Sequence, residues 1–130
     1  MPTTSPNKRT LLYVDDDDTL VLMKEVFSSE DYSIVTKPSG EDGLEFIKEN
    51  GAVTVVVSDF IMKGMNGLEF LRLVKAHSPT SKLCLCSGSF DRRTLMDKVK
   101  DQEIDGFIMK PVFIEQLLST VSDLMEASEI

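Results

Sequence analysis

The sequence predicts an α/β domain, a doubly wound parallel sheet of five strands with helices on both faces. Three observations carry that expectation. Five short runs, most of them apolar and rich in β-branched residues, alternate strictly with five longer stretches of helical rhythm, the pattern of repeated β-α units. Most of the short runs are near-continuously apolar, as strands buried on both faces are. The 130 residues are 42% hydrophobic and 28% charged, which suits one globular domain with a packed core. Right-handed crossovers leave few topologies for such a chain, and the doubly wound sheet is the simplest.

Residues 1–9 are polar, carry two prolines and read as a flexible tail. Leu11-Leu12-Tyr13-Val14 is the first strand, closed by the run Asp15-Asp16-Asp17-Asp18. Residues 19–29 form the first helix, with Leu20, Met23, Val26 and Phe27 on one side. Asp17 and Asp18 read as caps that complement its dipole. Ser33-Ile34-Val35-Thr36 is the second strand. Ser39 caps a helix that runs to Asn50, with Asp42 at the capping-box position and Gly51 as the stop.

Val53-Thr54-Val55-Val56-Val57 is the third strand, followed by Ser58-Asp59. Residues 63–67 are a loop, and residues 68–77 a helix that places His77 at its C-terminal end. Leu83-Cys84-Leu85-Cys86 is the fourth strand, and Asp91 caps a fourth helix through Leu95, Met96 and Val99. Arg92, Arg93, Lys98 and Lys100 read as the solvated face of that helix, with partner docking as the second reading. Phe107-Ile108-Met109 is the fifth strand, broken at Lys110-Pro111, and residues 114–125 are the last helix. The whole reads as one domain over residues 10–127 between tails at 1–9 and 128–130.

Cys84 and Cys86 have the spacing of a metal pair, but on a buried strand i and i+2 face one core layer, where free cysteine packs as a small hydrophobe. The methionines read mostly as core, with Met62 and Met65 beside the loop as the candidates for exposure. The formal charge of −8 disfavours direct binding to nucleic acid. No apolar run approaches the ~20 residues that span a bilayer, so no membrane partner is expected. Two cysteines one residue apart cannot clamp a fold, and a reducing cytoplasm is the expected setting.

Open α/β sheets bind ligands outside the carboxyl ends of their strands. Here those ends are Asp15-Asp16, Asp59, Ser87 and Lys110, which bring three carboxylates, a hydroxyl and an ammonium to one rim. Two carboxylates ~5 Å apart repel by roughly 3 kcal/mol at an effective dielectric of about 20, and Lys110 offsets only part of that. Mg²⁺, a hard ion that takes one or two carboxylates plus waters and phosphate oxygens, would offset the rest. An aspartate beside it can act as a nucleophile towards phosphorus. Ser87 and Lys110 could then each hold a phosphoryl oxygen. The rim reads as a phosphoacceptor site.

The residues Val14-Asp15-Asp16, Asp59-Phe60-Ile61-Met62-Lys63-Gly64-Met65-Asn66-Gly67, Ser87-Gly88 and Phe107-Ile108-Met109-Lys110-Pro111 resemble the receiver domain of bacterial response regulators. The resemblance spans residues 9–127 and implies a flavodoxin-like sheet of order 2-1-3-4-5. It implies that Asp59 accepts the phosphoryl group from a histidine kinase or phosphotransfer protein. By the same resemblance Asp16 would bind Mg²⁺ directly, Asp15 mainly through water, and the Ile61 backbone carbonyl would be a further ligand. Ser87 matches the family's switch hydroxyl, Phe107 the aromatic that rotates behind it, and Lys110 the phosphate contact, followed by a typically cis bond to Pro111. A face of helix four, strand five and helix five would meet the downstream partner.

Two positions depart from the pattern. Lys63 stands where the family usually has proline, and Ser87-Gly88 replaces the commoner Thr-Ala or Ser-Ala. Neither removes a reacting group.

Two other functions compete with this reading. Asp15-Asp16-Asp17-Asp18-Thr19 also resembles the first motif of haloacid-dehalogenase-type phosphatases, with Asp15 as nucleophile and Asp17 as acid/base. That family needs a second acidic cluster and usually a cap, and neither is evident. An EF-hand fails for want of the glycine and glutamate its loop requires. A receiver-like binding module that is never phosphorylated is the third reading. Only five residues follow Met125, so output is expected from a partner or a fused domain.

Overall fold

The computed structural model describes residues 9–16 and 18–128; residues 1–8 of the expected 1–9 tail, the proposed cap Asp17 and residues 129–130 lie outside them. The chain alternates β1 (Thr10–Val14), α1 (Thr19–Val26), β2 (Ser33–Lys37), α2 (Gly40–Asn50), β3 (Val55–Asp59), α3 (Gly67–His77), β4 (Lys82–Ser87), α4 (Arg92–Lys100), β5 (Gly106–Met109) and α5 (Ile114–Ala127). The five strands pair in parallel in the order β2-β1-β3-β4-β5. The expected doubly wound sheet and strand order are those observed.

Each strand feeds two cores by the two-residue alternation of pleated backbone. Leu12, Val14, Val56, Leu83 and Leu85 join Phe70, Leu71, Val74 and Leu95 under α2, α3 and α4. Leu11, Tyr13, Val55, Val57, Cys84 and Cys86 join Met23, Phe27, Leu117 and Val121 under α1 and α5. Both cysteines are therefore core residues, as their i, i+2 spacing predicts. Apolar runs that look unpatterned in sequence are thus two interleaved faces, each buried.

Helix ends follow local chemistry. Ser39 accepts the Asp42 N–H at 3.1 Å at the start of α2, and Gly51, at φ +86°, closes it. Asp91 accepts the Thr94 N–H at 2.8 Å at the start of α4. At α3, Asn66 and Glu69 form a reciprocal capping box with both bonds at 2.9 Å.

Several local expectations need correction. Asp18 stands at the N-cap of α1 in helical conformation (φ −66°, ψ −8°) and makes no side-chain cap bond. A capping side chain normally sits on extended backbone, from which it can reach the next turn's N–H groups. The first helix also ends at Val26 rather than near Ser29, because Phe27 turns to φ −92°, ψ 0° while staying fully buried. The third strand is displaced towards its C-terminus: Val53 is buried ahead of it, and Ser58 and Asp59 join the ladder opposite Leu85 and Cys86. Met62 is buried, not exposed, with its sulfur 3.9 Å from Ser58 Oγ. Lys98 is not on a solvated face; its ammonium lies 5.3 Å from the centre of the Phe90 ring.

The β3–α3 junction is the tightest point. Gly67 N–H donates to Phe60 O at 2.8 Å, so α3 begins hard against the end of β3. A Cβ on Gly67 would collide with the Asp59 carbonyl oxygen and lie 2.9 Å from Phe60 Cα. Both neighbours are backbone and have little room to yield. Gly67→Ala is expected to lower the unfolding free energy by about 1–3 kcal/mol, the usual range for overpacking, read as a drop in the urea midpoint with unchanged slope.

Candidate functional site

The C-terminal edge of the sheet gathers the polar strand ends. Asp59 closes β3 and is 7% exposed; Asp15 follows β1 and is 6% exposed; Asp16 beside it is open to solvent. One carboxylate oxygen from each of the three lies within 4.8 Å of the others. Like charges at that spacing repel by roughly 3 kcal/mol per pair at an effective dielectric of about 20, less where solvent reaches. The sheet, not mutual attraction, holds them together.

Lys110 supplies the opposing charge, with its Nζ 2.8 Å from Asp59 Oδ1. The same oxygen accepts the Phe60 N–H at 3.0 Å. Among the described contacts Oδ2 is therefore the uncommitted oxygen of Asp59. Partial burial draws the Lys110 ammonium down, but its hydrogen bond to Asp59 and the charges of Asp59 and Asp15 outweigh that and hold it above the ordinary lysine value. It stays charged at neutral pH.

The backbone around the carboxylates is fastened by bonds that continue the ladders. Phe60 N–H reaches Cys86 O at 2.9 Å, and Lys110 N–H reaches Ser87 O at 3.0 Å. Ser58, fully buried, donates its hydroxyl to the Asp59 carbonyl at 2.9 Å. Thr19 Oγ1 approaches Asp15 Oδ2 at 3.4 Å, and Lys63 N–H donates to Asp16 Oδ2 at 2.8 Å.

Ser87, 1% exposed, ends β4, and its Oγ accepts the Ser89 N–H at 3.0 Å. Phe107 lies partly buried on β5 against the α2–α4 side core, with the Arg92 guanidinium 5.8 Å from its ring centre. Ile61 follows in the loop after Asp59 and is 66% exposed. The bond between Lys110 and Pro111 is cis. Three aspartates and Lys110 thus come together, while Ser87 is bonded within its own loop.

A sequence model of the response regulator receiver domain matches residues 11–122. The chain belongs to the response regulator receiver family. It is 31% identical to a chemotaxis protein CheY of Listeria monocytogenes over 114 residues, 85% of this chain and 93% of that one. It is 30% identical to the sensor kinase CckA of Brucella abortus over 122 residues, 92% of this chain but 13% of the kinase. Among solved structures, a CheY-like receiver domain protein from Methanospirillum hungatei superposes with a TM-score of 0.81 at 25% identity, covering 93% of this chain and 96% of that one. This receiver therefore resembles both a protein of its own length and a small segment of a much longer one.

Some residues that shape the receiver site escape a reading of side-chain types. Gly67 and the Lys63 N–H act through backbone geometry. The Asn66-x-x-Glu69 spacing is a capping-box signature that does point to the start of α3. Phe60 and Phe90 pack at 4.7 Å between ring centres and tie the loop after Asp59 to the loop after Ser87. Neither residue stands out in the sequence. No helix among the described residues is long and apolar enough to cross a membrane.

Under the rim, burial first and then the charge of Asp59 push the Cys86 thiol up to about 12. Burial likewise holds Cys84 well above its ordinary value. Both thiols are neutral and enclosed near pH 8, so a thiol-alkylating reagent is expected to leave the folded receiver unmodified. The urea-unfolded chain should take up a label at both cysteines, counted by intact mass. Rapid labelling of Cys86 in the folded protein would contradict this packing.

Proposed function

We propose that Asp59 is the phosphoacceptor of this receiver and that a histidine kinase or phosphotransfer protein is its donor. The carrying observation is the Lys110–Asp59 contact inside a cluster of three carboxylates at the C-terminal sheet edge. Asp15, Asp16 and Asp59, with the Ile61 backbone carbonyl, would hold Mg²⁺, and three clustered carboxylates facing one lysine suit a hard divalent cation. Bound there, the ion would offset the negative charge of the reacting groups.

In the transfer, Asp59 Oδ2 attacks the phosphorus of a phosphohistidine. The new O–P bond forms as the N–P bond breaks, and its electron pair stays on the imidazole nitrogen. Lys110 and the Phe60 N–H hold Oδ1, which fixes the carboxylate so that Oδ2 faces the donor. Lys110 and Ser87 then each bond a phosphoryl oxygen, since phosphorylation adds about −1.5 to −2 charge to an already acidic rim.

Ser87 leaves its bond to the Ser89 N–H as it turns to the phosphoryl group, and Phe107 follows it inward from beneath Arg92. The consequence is a population shift in the α4-β5-α5 face that a downstream protein or fused output domain reads. The similarity to a segment of a sensor kinase supports a place in kinase-linked signalling; on this reading the domain works in the cytoplasm. The domain assists its own phosphorylation and dephosphorylation and turns over no separate substrate. No direct contact with nucleic acid or membrane is part of this function.

Incubation with acetyl phosphate and Mg²⁺ is expected to add the mass of one phosphoryl group. Asp59→Asn should abolish the addition, and Lys110→Ala should slow it by roughly 10²-fold, the usual loss on deleting one charge-stabilising donor. Modification that persists in Asp59→Asn but disappears in Asp15→Asn would favour the phosphatase reading. An unmodified wild type would leave a binding module.

A further inference from the structure

Asp16 is the exposed member of the acidic cluster and lies beyond the end of β1. An exposed carboxylate on a short loop has several open rotamers, and a metal ligand must give up that freedom. One bond crosses 47 positions of sequence to restrain it: the backbone N–H of Lys63 donates to Asp16 Oδ2 at 2.8 Å. A bond from N–H to an ionised carboxylate is of the stronger, charge-assisted kind.

The donor itself is well anchored. Met62, immediately before it, is buried beside Ser58. Gly64, immediately after it, turns the chain at φ +78°. Three residues on, Asn66 caps α3, and Gly67 is bonded to Phe60. The Lys63 N–H is thus a fixed point on a braced loop, and Asp16 is held to it by one oxygen.

We propose that the Lys63 backbone N–H is a positioning group for the divalent-cation site, orienting Asp16 so that its other oxygen is presented to the ion. This rests on the reading of Asp15, Asp16 and Asp59 as that site. The role belongs to the main chain, not to the lysine ammonium, which makes two substitutions at one position diverge. Lys63→Ala keeps the donor. Lys63→Pro deletes it, because proline has no N–H. Relatives with the usual proline here must hold the equivalent aspartate without this bond, so the role is specific to this chain.

Calorimetric titration of Mg²⁺ into the unphosphorylated chain reads the difference. Lys63→Pro is expected to weaken binding by roughly tenfold, the lower range for loss of a group that orients a metal ligand. Lys63→Ala should bind as the wild type does, or slightly tighter with one cation fewer at the rim. A second measurement needs no variant. If the bond favours metal binding, metal binding must favour the bond by the same factor. Mg²⁺ should therefore slow hydrogen exchange at the Lys63 amide by roughly tenfold, the same factor. Equal Mg²⁺ affinity in wild type and a folded Lys63→Pro, or exchange at Lys63 that Mg²⁺ leaves unchanged or accelerates, overturns the proposal alone. A wild type that takes up no Mg²⁺ overturns the metal reading and this proposal with it.

Discussion

Three carboxylates held within 4.8 Å of one another repel, and one lysine 2.8 Å from Asp59 cannot neutralise them. Much of the architecture can be understood as a means of keeping that arrangement in place. Two of the three, Asp15 and Asp59, are nearly enclosed, so water screens them poorly and their approach must be enforced by the backbone. Parallel pairing of β1 with β3 and of β3 with β4 supplies the enforcement, with Val14 opposite Ser58 and Asp59 opposite Cys86. A slip of one residue in either register would turn every core side chain to the wrong layer, so the two apolar cores also fix the charges.

The edge bonds extend this logic past the ends of the strands. Phe60 and Lys110 continue the ladders onto Cys86 and Ser87, and Gly67 lets α3 start against the Asp59 carbonyl. The same junction carries Phe60, whose ring packs on Phe90 of the loop after Ser87. Any rearrangement of Ser87 therefore acts on a loop already packed against the one that follows Asp59. Arg92, set over Phe107, places α4 in contact with the same chain of groups.

Strand ends were legible in the sequence because side-chain type and position coincide there. A β-branched run marks the strand, and a polar residue closing it must sit at the sheet edge. Asp59, Ser87 and Lys110 were readable in that way, as was Asp91 at a helix start. Val53 misled because periodicity registers apolar character but not ladder bonds; it is buried ahead of β3 while Asp59 is paired. Phe27 misled in the same manner, apolar and buried on the helical face yet past the end of α1. Asp18 had the right residue type for a cap but not the backbone conformation. The Lys63 N–H was illegible for a deeper reason. Every residue except proline carries that donor, so only three-dimensional placement shows which one matters.

A rim short of positive charge should be tense without a cation and relaxed with one, whatever the downstream partner. Thermal unfolding of wild type and Asp16→Asn, in chelator and in saturating Mg²⁺, tests this most directly, since asparagine keeps an acceptor for the Lys63 N–H while removing one charge. Asp16→Asn is expected to be the more stable protein in chelator and the less stable one in Mg²⁺, because the proposed ion would bind the folded wild-type site and not the unfolded chain. An unchanged stability order in the two conditions would contradict the account.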